Sequence, residues 1–262
     1  MSEERSQIVG QVLTLARRSV VRTLRQPIMI VPGVTFPLFL LAVNSAGLDA
    51  ATRIPGFPTD SYLTFALALT FMQAGLFATS SAGTDLAEDI RTGFLNRLSL
   101  TPMRGAALIA GQLAGVLALA LFDAVVFLAV GLAAGGHMEA GIGGVPVLFL
   151  LAAVIGLAFG TIGIFAALRT GDGEAVQGLF PLLFVLLFMS SMALPRDLIE
   201  NDWFRTVADW NPFSYLIEGL RSLFITGWDG AALGKGFAVS AAIFLLGLLA
   251  SARSLRTRLV RT

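Results

Sequence analysis

The sequence has 262 residues, of which 56% are hydrophobic and 13% are charged, and its net charge is +1. Soluble domains carry roughly 25% charged residues, so a soluble fold of this length would leave a large apolar surface in water. The absence of cysteine excludes disulfides, iron–sulfur clusters and thiolate metal sites. We therefore expect an all-α, polytopic integral membrane protein.

The first segment, 1–26, is predicted to form an amphipathic helix in the membrane interface. Apolar side chains recur at helical spacing on one face, and polar or basic side chains lie opposite them. The apolar face consists of Val9, Val12, Leu13, Ala16, Val20 and Leu24, and the opposite face of Gln11, Arg18, Arg22 and Arg25. Such a helix places its apolar face in lipid and its arginines against anionic headgroups.

Six apolar runs follow, and a helix needs roughly 20 residues to cross a hydrocarbon core of about 30 Å. The predicted transmembrane helices are 28–48, 61–83, 106–134, 144–168, 175–195 and 235–252. The last is the shortest, and a group of arginines that starts at Arg253 marks its end. The whole chain, 1–262, is predicted to form a single transmembrane domain.

Two segments between the spans have patterns of their own. In the loop 84–105, apolar residues recur every four positions among charged ones, which predicts a short surface helix that ends at Thr101-Pro102. Those apolar residues are Leu86, Ile90, Phe94 and Leu98. The segment 196–232 holds all three tryptophans. Because such rings favour the headgroup level, this segment is predicted to dip into the outer leaflet between spans five and six.

The distribution of basic residues predicts the orientation of the chain. Six spans place both termini on one side, and the segments on that side hold thirteen of the eighteen basic residues. The opposite side holds five. Since basic residues stay on the cytoplasmic side, we expect a multi-pass protein of the cell membrane with both termini in the cytoplasm.

The sequence lacks the residues that several kinds of catalysis require. Lys235, the single lysine, is followed by Gly236, so no phosphate-binding loop of the Gly-Lys-Ser/Thr type exists. The single histidine, His137, falls in a short loop, and no pair of carboxylates or metal-ligand spacing lies within a span. We therefore expect a protein that is not an enzyme and that holds no cofactor or metal.

Few polar residues fall inside the predicted spans, and each has two interpretations. Asp123 is either a paired acid between helices or part of a substrate path. The glutamines Gln73, Gln112 and Gln177 either link helices by hydrogen bonds or line a cavity. Close helix contacts are predicted where glycines stand four residues apart, at Gly111 and Gly115 and at Gly156 and Gly160, within one chain or between two.

Two local patterns are similar to those of the ABC-2 type permease family, the membrane subunits of a class of ATP-driven exporters. The first combines acidic residues, a glycine, an Arg-Leu pair and a Pro-Met-Arg run in the loop before span three. Its residues are Glu88, Asp89, Arg91, Thr92, Gly93, Arg97, Leu98, Thr101, Pro102, Met103 and Arg104. It departs from the family in one respect, because Thr92-Gly93 reverses the usual Gly-Thr order.

The second pattern precedes the last span and resembles the Asn-Pro signature of the same family. Its residues are Asn211, Pro212, Phe213, Ser214 and Tyr215, followed by Glu218, Gly219, Leu220 and Arg221. The six spans and the aromatic outer segment also fit, so the resemblance covers nearly the whole chain.

This resemblance implies a permease subunit that works with a separate ATPase subunit, which binds ATP and Mg²⁺, and with a second copy of itself or a homologous permease. The loop 84–105 would be the coupling loop, with Glu88, Asp89, Arg91, Gly93, Arg97, Pro102 and Arg104 as coupling residues. The segment 196–232 would be re-entrant, with Asn211, Pro212, Tyr215, Glu218 and Arg221 at the outer gate. Asp123, Gln73 and Gln177 are the candidates for the substrate path. Membrane lipids are further expected partners, and nucleic acid is not.

Drug-resistance-type members, which export hydrophobic compounds, resemble the chain most, because its spans are apolar and it has twenty phenylalanines. Exporters of polysaccharides or lipid-linked glycans share the same plan. An ion-coupled secondary transporter and a structural membrane component are the alternatives from other classes.

Overall fold

The computed structural model describes residues 2–25, 27–99 and 105–261, and every regular element within them is helical. These residues form eleven α-helices. The helices are α1 (Ser2–Leu24), α2 (Pro27–Leu48), α3 (Tyr62–Arg91), α4 (Phe94–Ser99), α5 (Gly105–Ala133), α6 (Gly141–Thr170), α7 (Gly173–Gln177), α8 (Leu179–Phe188), α9 (Asp202–Trp210), α10 (Pro212–Ile225) and α11 (Gly230–Arg261). The all-α prediction is confirmed.

Five helices in the described residues are long and apolar enough to cross a membrane, namely α2, α3, α5, α6 and α11. The sixth predicted span, 175–195, is a shorter apolar stretch, Gly173–Phe188, that spans about 24 Å at 1.5 Å per residue. The six-span count is therefore not confirmed. The helix α8 ends at Phe188, where Met189 and Ser190 form a turn with their N–H groups bonded to the carbonyls of Val185 and Leu187.

Four helices are longer than a hydrocarbon core requires, and three of them, α3, α6 and α11, are longer than the spans predicted for them. The helices α3, α5, α6 and α11 have 30, 29, 30 and 32 residues, so each is about 45 Å long against a hydrocarbon core of about 30 Å. Apart from Asp123 and Lys235, their charged residues lie at one end of the bundle, which includes Arg91, Arg169 and Arg253 and which we call the arginine-rich end. The opposite end, with Trp203, Trp210 and Trp228, is the tryptophan-rich end.

The core of the bundle is the contact between α3 and α6, which run in the same direction. A Cβ on Gly163 would lie 2.0 Å from the carbonyl oxygen of Thr79, and a Cβ on Gly83 would lie 2.8 Å from that of Gly163. The Thr79 hydroxyl donates to the carbonyl of Phe159 at 3.0 Å. The two backbones therefore touch, as small residues allow in membrane helices.

The predicted glycine contacts are made within the chain. Gly111 and Gly115 of α5 receive α1, since a Cβ on them would lie 2.5 Å from Leu15 Cβ and 2.3 Å from Ser19 Oγ. Gly156 of α6 faces Ala120 of α5 in the same way, at 2.7 Å. The glycine spacing left open whether these contacts form within one chain or between two, and in this structure they form within one chain.

The face of α1 that packs on α5 differs from the predicted one. Ser19 and Thr23 are buried against α5, whereas Leu13, which was expected in the apolar face, is 63% exposed. Arg18 and Arg22 were expected to face anionic lipid, and they instead form ion pairs with the end of α3. The periodicity indicated a helix with two faces but not which protein surface each face meets.

The loop 84–105 also differs from the single surface helix that was predicted. The helix α3 continues to Arg91, and Leu86 is buried in the bundle. The chain then turns at Gly93, whose φ of 69° favours glycine, and α4 begins at Phe94. The predicted end of the helix at Thr101-Pro102 lies outside the described residues.

The helix α11 runs alongside α6 in the same direction and is fastened to it at the arginine-rich end. Ser251 donates to the carbonyl of Thr161 at 3.3 Å, and Arg258 donates to the carbonyl of Leu168 at 2.8 Å. Because α6 and α11 run in parallel, the segment between them must return the chain to the tryptophan-rich end. The helix α8, with ten residues, covers about 15 Å of that distance.

Candidate coupling, substrate and gate sites

A charged cluster joins three helices at the arginine-rich end. The carboxylate of Asp89, which is 3% exposed, accepts hydrogen bonds from Arg18 at 2.8 Å and from Arg22 at 2.9 Å. Gln112 of α5 donates to the same carboxylate at 3.1 Å. Asp85, one turn earlier on α3, pairs with Arg22 at 3.2 Å. Asp89 therefore ties α1 and α5 to the end of α3.

The short helix α4 is connected to this cluster through Arg18. The guanidinium of Arg18 stacks on the ring of Phe94 at 3.9 Å from its centroid, a cation–π contact. Arg97 is exposed on α4, and Glu88 forms an exposed pair with Arg91 at 2.7 Å. Two further predicted coupling residues, Pro102 and Arg104, lie outside the described residues.

A cavity of about 590 Å³ opens at the arginine-rich end, between the end of α3 and the start of α7. Its wall on the α3 side includes Asp85, Glu88 and Arg91, with Arg22 of α1 beside them. The opposite wall is the turn 171–174 with Gln177. In that turn Asp172 caps α7, because its carboxylate accepts from the N–H of Glu174 at 3.0 Å.

A second cavity of about 370 Å³ lies between α2, α3 and α8. It is lined by Pro32, Phe77, Ser80, Thr84, Gln177, Phe180 and Pro181. Phe77 and Phe180 have ring centroids 5.0 Å apart, and Phe180 contacts Phe184 at 4.9 Å. Phe36 of α2 adds edge contacts to Phe77 and Phe184. This is an apolar, aromatic pocket with few polar groups, the usual composition of a small-molecule site.

Inside the bundle, where Phe213 packs against Phe159 of α6, Asn211 joins two helix termini. Its amide donates to the carbonyls of Leu186 and Met189 at the end of α8, at 2.6 and 3.0 Å. Its side-chain oxygen accepts from the N–H of Phe213 at 3.0 Å, which caps the start of α10. Pro212 takes the first position of α10, where its missing N–H costs nothing.

Residues on the same face of α10 hold the turn that follows α8. The Ser214 hydroxyl accepts from the N–H of Ser191 at 3.1 Å, and Glu218 accepts from the Ser191 hydroxyl at 2.9 Å. The guanidinium of Arg221 donates to the carbonyls of Ser191 and Met192, both at 2.9 Å. It also donates to the carbonyl of Phe65 on α3 at 3.2 Å. The face of α10 that carries Ser214, Glu218 and Arg221 therefore binds the turn 189–192.

Arg196 completes this network. It donates two hydrogen bonds to Glu218, lies over the Tyr215 ring at 4.6 Å and pairs with Asp209 at 3.4 Å. Burial by itself lowers the pKa of Arg196, but the hydrogen bonds to Glu218 and Tyr215 outweigh it and hold this pKa above its ordinary value. The arginine is therefore charged at every physiological pH. The Tyr215 hydroxyl donates to the carbonyl of Asp209 at 2.7 Å.

Comparison with known proteins gives one family. The model of the ABC-2 type transporter family matches residues 10–225. The chain is 31% identical over 227 residues to the daunorubicin resistance ABC transporter permease protein DrrB1 of Streptomyces coeruleorubidus, covering 84% of this chain and 76% of that protein. It is 25% identical over 223 residues to the putative transport permease ycf38 of Cyanophora paradoxa, covering 82% of this chain and 74% of that protein.

The chain belongs to the ABC-2 type transporter family. Both relatives are described as permeases, which agrees with the predicted family and with a multi-pass membrane protein. The roles of individual residues in this ABC-2 permease stay predictions, and the structure gives their positions.

The three residues predicted for the substrate path of the permease lie in different places. Gln177 lines both cavities, and Gln73 lies one turn of α3 from Phe77. The Gln73 side-chain oxygen is buried and has no hydrogen-bond partner among the described residues. Asp123 of α5 is 2% exposed, lines neither cavity, and has one oxygen without a described partner. Of the three predicted residues, Gln177 lines the two cavities, and Gln73 and Asp123 line neither of them.

Sequence reasoning missed several residues that the permease uses in these clusters. Arg18 and Arg22 were expected to contact lipid headgroups. They stand four residues apart and therefore lie on the same face of α1. Ser191 and Arg196 belong to no recognisable sequence motif. Their partners are 27 and 22 residues away on α10, and only the fold brings them together.

We expect an Arg221→Lys variant of this permease to lose about 2 kcal/mol of stability, because three separated carbonyls need the fork of a guanidinium and a single ammonium cannot reach all of them. Thermal unfolding in detergent measures the loss. Arg53→Lys, at an exposed arginine in the turn after α2, is the matched control and should leave the unfolding temperature unchanged. Equal unfolding temperatures for the two variants would contradict the role of Arg221.

Proposed function

We propose that this chain is the permease subunit of an ATP-driven exporter that moves a hydrophobic, aromatic small molecule out of the cell. The observation that carries the proposal is the cavity between α2, α3 and α8, where the rings of Phe77 and Phe180 lie in contact at an angle of 56°. Aromatic rings in such a pocket favour flat apolar compounds. A separate ATPase subunit would supply the energy, since the sequence has no Gly-Lys-Ser/Thr motif.

The proposed orientation puts the arginine-rich end in the cytoplasm. It rests on the excess of basic residues at that end. In this arrangement α2, α3, α5, α6 and α11 cross the membrane, and α8 with the turn after it makes the sixth crossing. The parallel course of α6 and α11 supports that crossing.

We further propose that the helix α4 and the end of α3 receive the ATPase. Exposed charges at Glu88, Arg91 and Arg97 can pair with a protein surface, whereas Asp89 is already bound to α1 and α5. Asp89 would then act indirectly, by linking α1 and α5 to the site where the ATPase docks. A second copy of the chain, or a homologous permease, would complete the transporter.

The segment 196–232 is proposed to close the outer end of the path. Gly219 of α10 and Gly236 of α11 approach so closely that a Cβ on Gly219 would lie 3.2 Å from Gly236 Cα. The helices α10 and α11 therefore form an antiparallel hairpin, and α10 begins roughly 20 Å below the start of α11 at 1.5 Å per residue. Backbone at such a depth must be buried in protein, and Phe213, Leu216 and Leu220 are buried here.

An alternative substrate class, a polysaccharide or lipid-linked glycan, receives less support from the residues around the cavity. Sugars bind Tyr and Trp rings that offer a hydroxyl or an N–H beside an apolar face. The rings in the lining of this cavity belong to phenylalanines and prolines, beside the polar side chains of Ser80, Thr84 and Gln177, and the lining includes neither Tyr nor Trp. The hydroxyl groups of Tyr62 and Tyr215 both donate to carbonyls at the tryptophan-rich end.

The experiment is transport by the permease, purified with its ATPase and reconstituted in vesicles, with a fluorescent aromatic compound as the probe. We expect uptake to require ATP and a Phe180→Ala variant to lower it about tenfold, because one stacked ring is worth roughly 1 kcal/mol beyond its apolar area. Phe188→Ala, at a ring that is 55% exposed on the same helix, is the control.

Two results would contradict the proposal. Uptake that continues without nucleotide and stops when the proton gradient is dissipated would indicate a secondary transporter. Equal uptake by Phe180→Ala and Phe188→Ala would show that the aromatic cavity takes no part in transport.

A further inference from the structure

A third cavity, of about 460 Å³, lies along α10 toward the tryptophan-rich end, and we call it the polar cavity. One of its walls is the face of α10 that carries Arg221, and another is the start of α11 with Asp229 and Lys235. Trp228, the neighbour of Asp229, is 61% exposed. Because tryptophan rings favour the level of lipid headgroups, the part of the polar cavity beside Asp229 lies at that level.

Most of the carboxylates around the polar cavity have a guanidinium group close by. Arg196 pairs with Glu218 and with Asp209. Asp197 also lines the cavity, and Arg205 donates a hydrogen bond to its backbone carbonyl at 3.3 Å. These charges are therefore largely compensated within the protein.

Three other charged groups in the lining have no ion-pair partner among the described residues, namely Arg221, Lys235 and Asp229. Arg221, which is 6% exposed, donates to three carbonyls and lies over the Phe65 ring at 3.6 Å, and a guanidinium has more N–H groups than these carbonyls use. Lys235 is exposed and makes no hydrogen bond to a described residue. A cavity with unpaired groups of both signs favours a ligand that carries both charges.

The unpaired groups lie at two depths. Gly219 of α10 and Gly236 of α11 lie in contact where the two helices cross. Arg221 is two residues from the first glycine and Lys235 is next to the second, so the two cations share a level. Asp229 precedes Lys235 by six residues, about 9 Å nearer the end of the bundle at 1.5 Å per residue. The positive level is therefore the deeper one.

The outer level carries further negative charge. An adjoining cavity shares Pro58 and Ile225 with the polar cavity and is lined by the side chains of Asp60, His137 and Glu139. Both of its carboxylates are exposed and, among the described residues, form no ion pair. Negative potential thus surrounds the headgroup level, above the cations.

We propose that the polar cavity binds the headgroup of one phosphatidylethanolamine molecule from the leaflet at the tryptophan-rich end. The phosphate lies at the level of Arg221 and Lys235, and the ammonium group lies at the level of Asp229. This order is that of the lipid, whose phosphate is nearer the hydrocarbon than its amine. The acyl chains lie along α11, where Leu246 and Leu249 follow the Lys235 face at helical spacing and are 69% and 56% exposed.

A headgroup with a primary amine fits these groups better than other headgroups. Arg221 and Lys235 offer charge-assisted hydrogen bonds to any lipid phosphate. Asp229 has an oxygen, Oδ2, without a described donor, because its Oδ1 accepts both N–H groups of the α11 cap. An ethanolamine can donate to that oxygen, whereas a glycerol headgroup has no positive charge and a choline has no N–H group.

The test measures the Kd of three short-chain phospholipids for the full-length permease in an uncharged detergent. The lipids carry ethanolamine, glycerol or choline headgroups. The variant Asp229→Asn keeps the cap of α11, because an asparagine oxygen still accepts the two N–H groups. Lys235→Gln removes the positive charge of the exposed lysine, and Lys235→Arg keeps it. Arg53→Gln, at an exposed arginine in the turn after α2, is the matched control.

We expect phosphatidylethanolamine to bind the unmodified chain with the lowest Kd. Lys235→Gln should raise the Kd of this lipid and of phosphatidylglycerol about fivefold, since both lose a phosphate contact, and Lys235→Arg should leave both unchanged. Asp229→Asn should raise the Kd of phosphatidylethanolamine about fivefold and leave that of phosphatidylglycerol unchanged. Arg53→Gln should bind all three lipids as the unmodified chain does.

Three results would overturn the inference. An equal Kd of phosphatidylethanolamine and phosphatidylglycerol, or of phosphatidylethanolamine and phosphatidylcholine, would remove the selection for a primary amine. A Kd of phosphatidylethanolamine that Lys235→Gln leaves unchanged would place the lipid elsewhere. An increase of that Kd in Phe180→Ala equal to the increase in Lys235→Gln would also contradict it, because the aromatic cavity is a separate site and its role in transport is tested independently.

Discussion

Gly163→Ala is expected to destabilise the protein by about 3 kcal/mol. The new Cβ would lie 2.0 Å from the carbonyl oxygen of Thr79, which is backbone and cannot rotate away. The helices α3 and α6 would have to separate, and the hydrogen bond from Thr79 to Phe159 would be lost with their contact. Thermal unfolding of the purified chain in detergent measures the effect, which should appear as a large drop in Tm.

The matched control for this prediction is Gly234→Ala in α11. No atom lies within 4 Å of the position that its Cβ would take, so the change should stabilise the helix slightly, by roughly 0.5–1 kcal/mol. The two variants make the same chemical change and differ only in the space around it. A Tm for Gly163→Ala equal to that of Gly234→Ala would mean that the α3–α6 backbone contact does not exist.

Asp89→Asn is expected to cost about 2 kcal/mol of stability and to abolish transport. The change removes the negative charge that Arg18 and Arg22 share, in a site where the carboxylate itself is 3% exposed. Breaking a fully buried pair costs about 3–5 kcal/mol, and the partial exposure of both arginines lowers that figure. The lost link between α1, α3 and α5 should leave the partner ATPase active but uncoupled from uptake.

The adjacent carboxylate gives the control for Asp89. Glu88→Gln removes an exposed charge whose described partner is Arg91, three residues along the same helix, so its stability should change by less than about 0.5 kcal/mol. In addition, Arg22→Gln should cost less in the Asp89→Asn background, where its pair with Asp85 remains, than in the unmodified chain, where both pairs are lost. Additive losses in the double variant would show that Arg22 and Asp89 do not interact.

The helices themselves were largely predictable, because lipid requires long apolar runs. The boundaries of α2 agree with the sequence within a residue, and α5 begins and ends one residue from its prediction. The helices α3 and α11 run further than predicted because hydropathy marks the lipid-facing length and not the end of the hydrogen-bond pattern. Charged residues such as Asp85 and Arg253 end an apolar run without ending a helix.

The end of α8 could not be predicted, since the residues that stop it are distant in sequence. Residues 189–195 are apolar or small and extend the apolar run. The carbonyls of Leu186 and Met189 are bonded by Asn211, more than twenty residues later. The Asn-Pro signature was recognised as a pattern, but its spacing on α10 contained no information about which carbonyls its polar groups would bind.

The ion-pair partners in the charged cluster could not be predicted from the sequence either. The acidic residues near the end of α3 were singled out from the sequence, and Asp89 was expected to pair with a partner protein. Its arginine partners are 71 and 67 residues away on α1. A single sequence gives the sign of a charge and not its neighbours, so exposed Glu88 and buried Asp89 were indistinguishable before the fold was known.

The touching backbones of α3 and α6 have a mechanical consequence. Because the two backbones are in direct contact, we expect α3 and α6 to move together as one rigid unit. The helices α2 and α8 carry large side chains that stand mostly free of the bundle, such as Phe39 at 62% and Leu182 at 63% exposure. We therefore expect α2 and α8 to move relative to the pair α3–α6, and the aromatic cavity lies where these two helices contact α3.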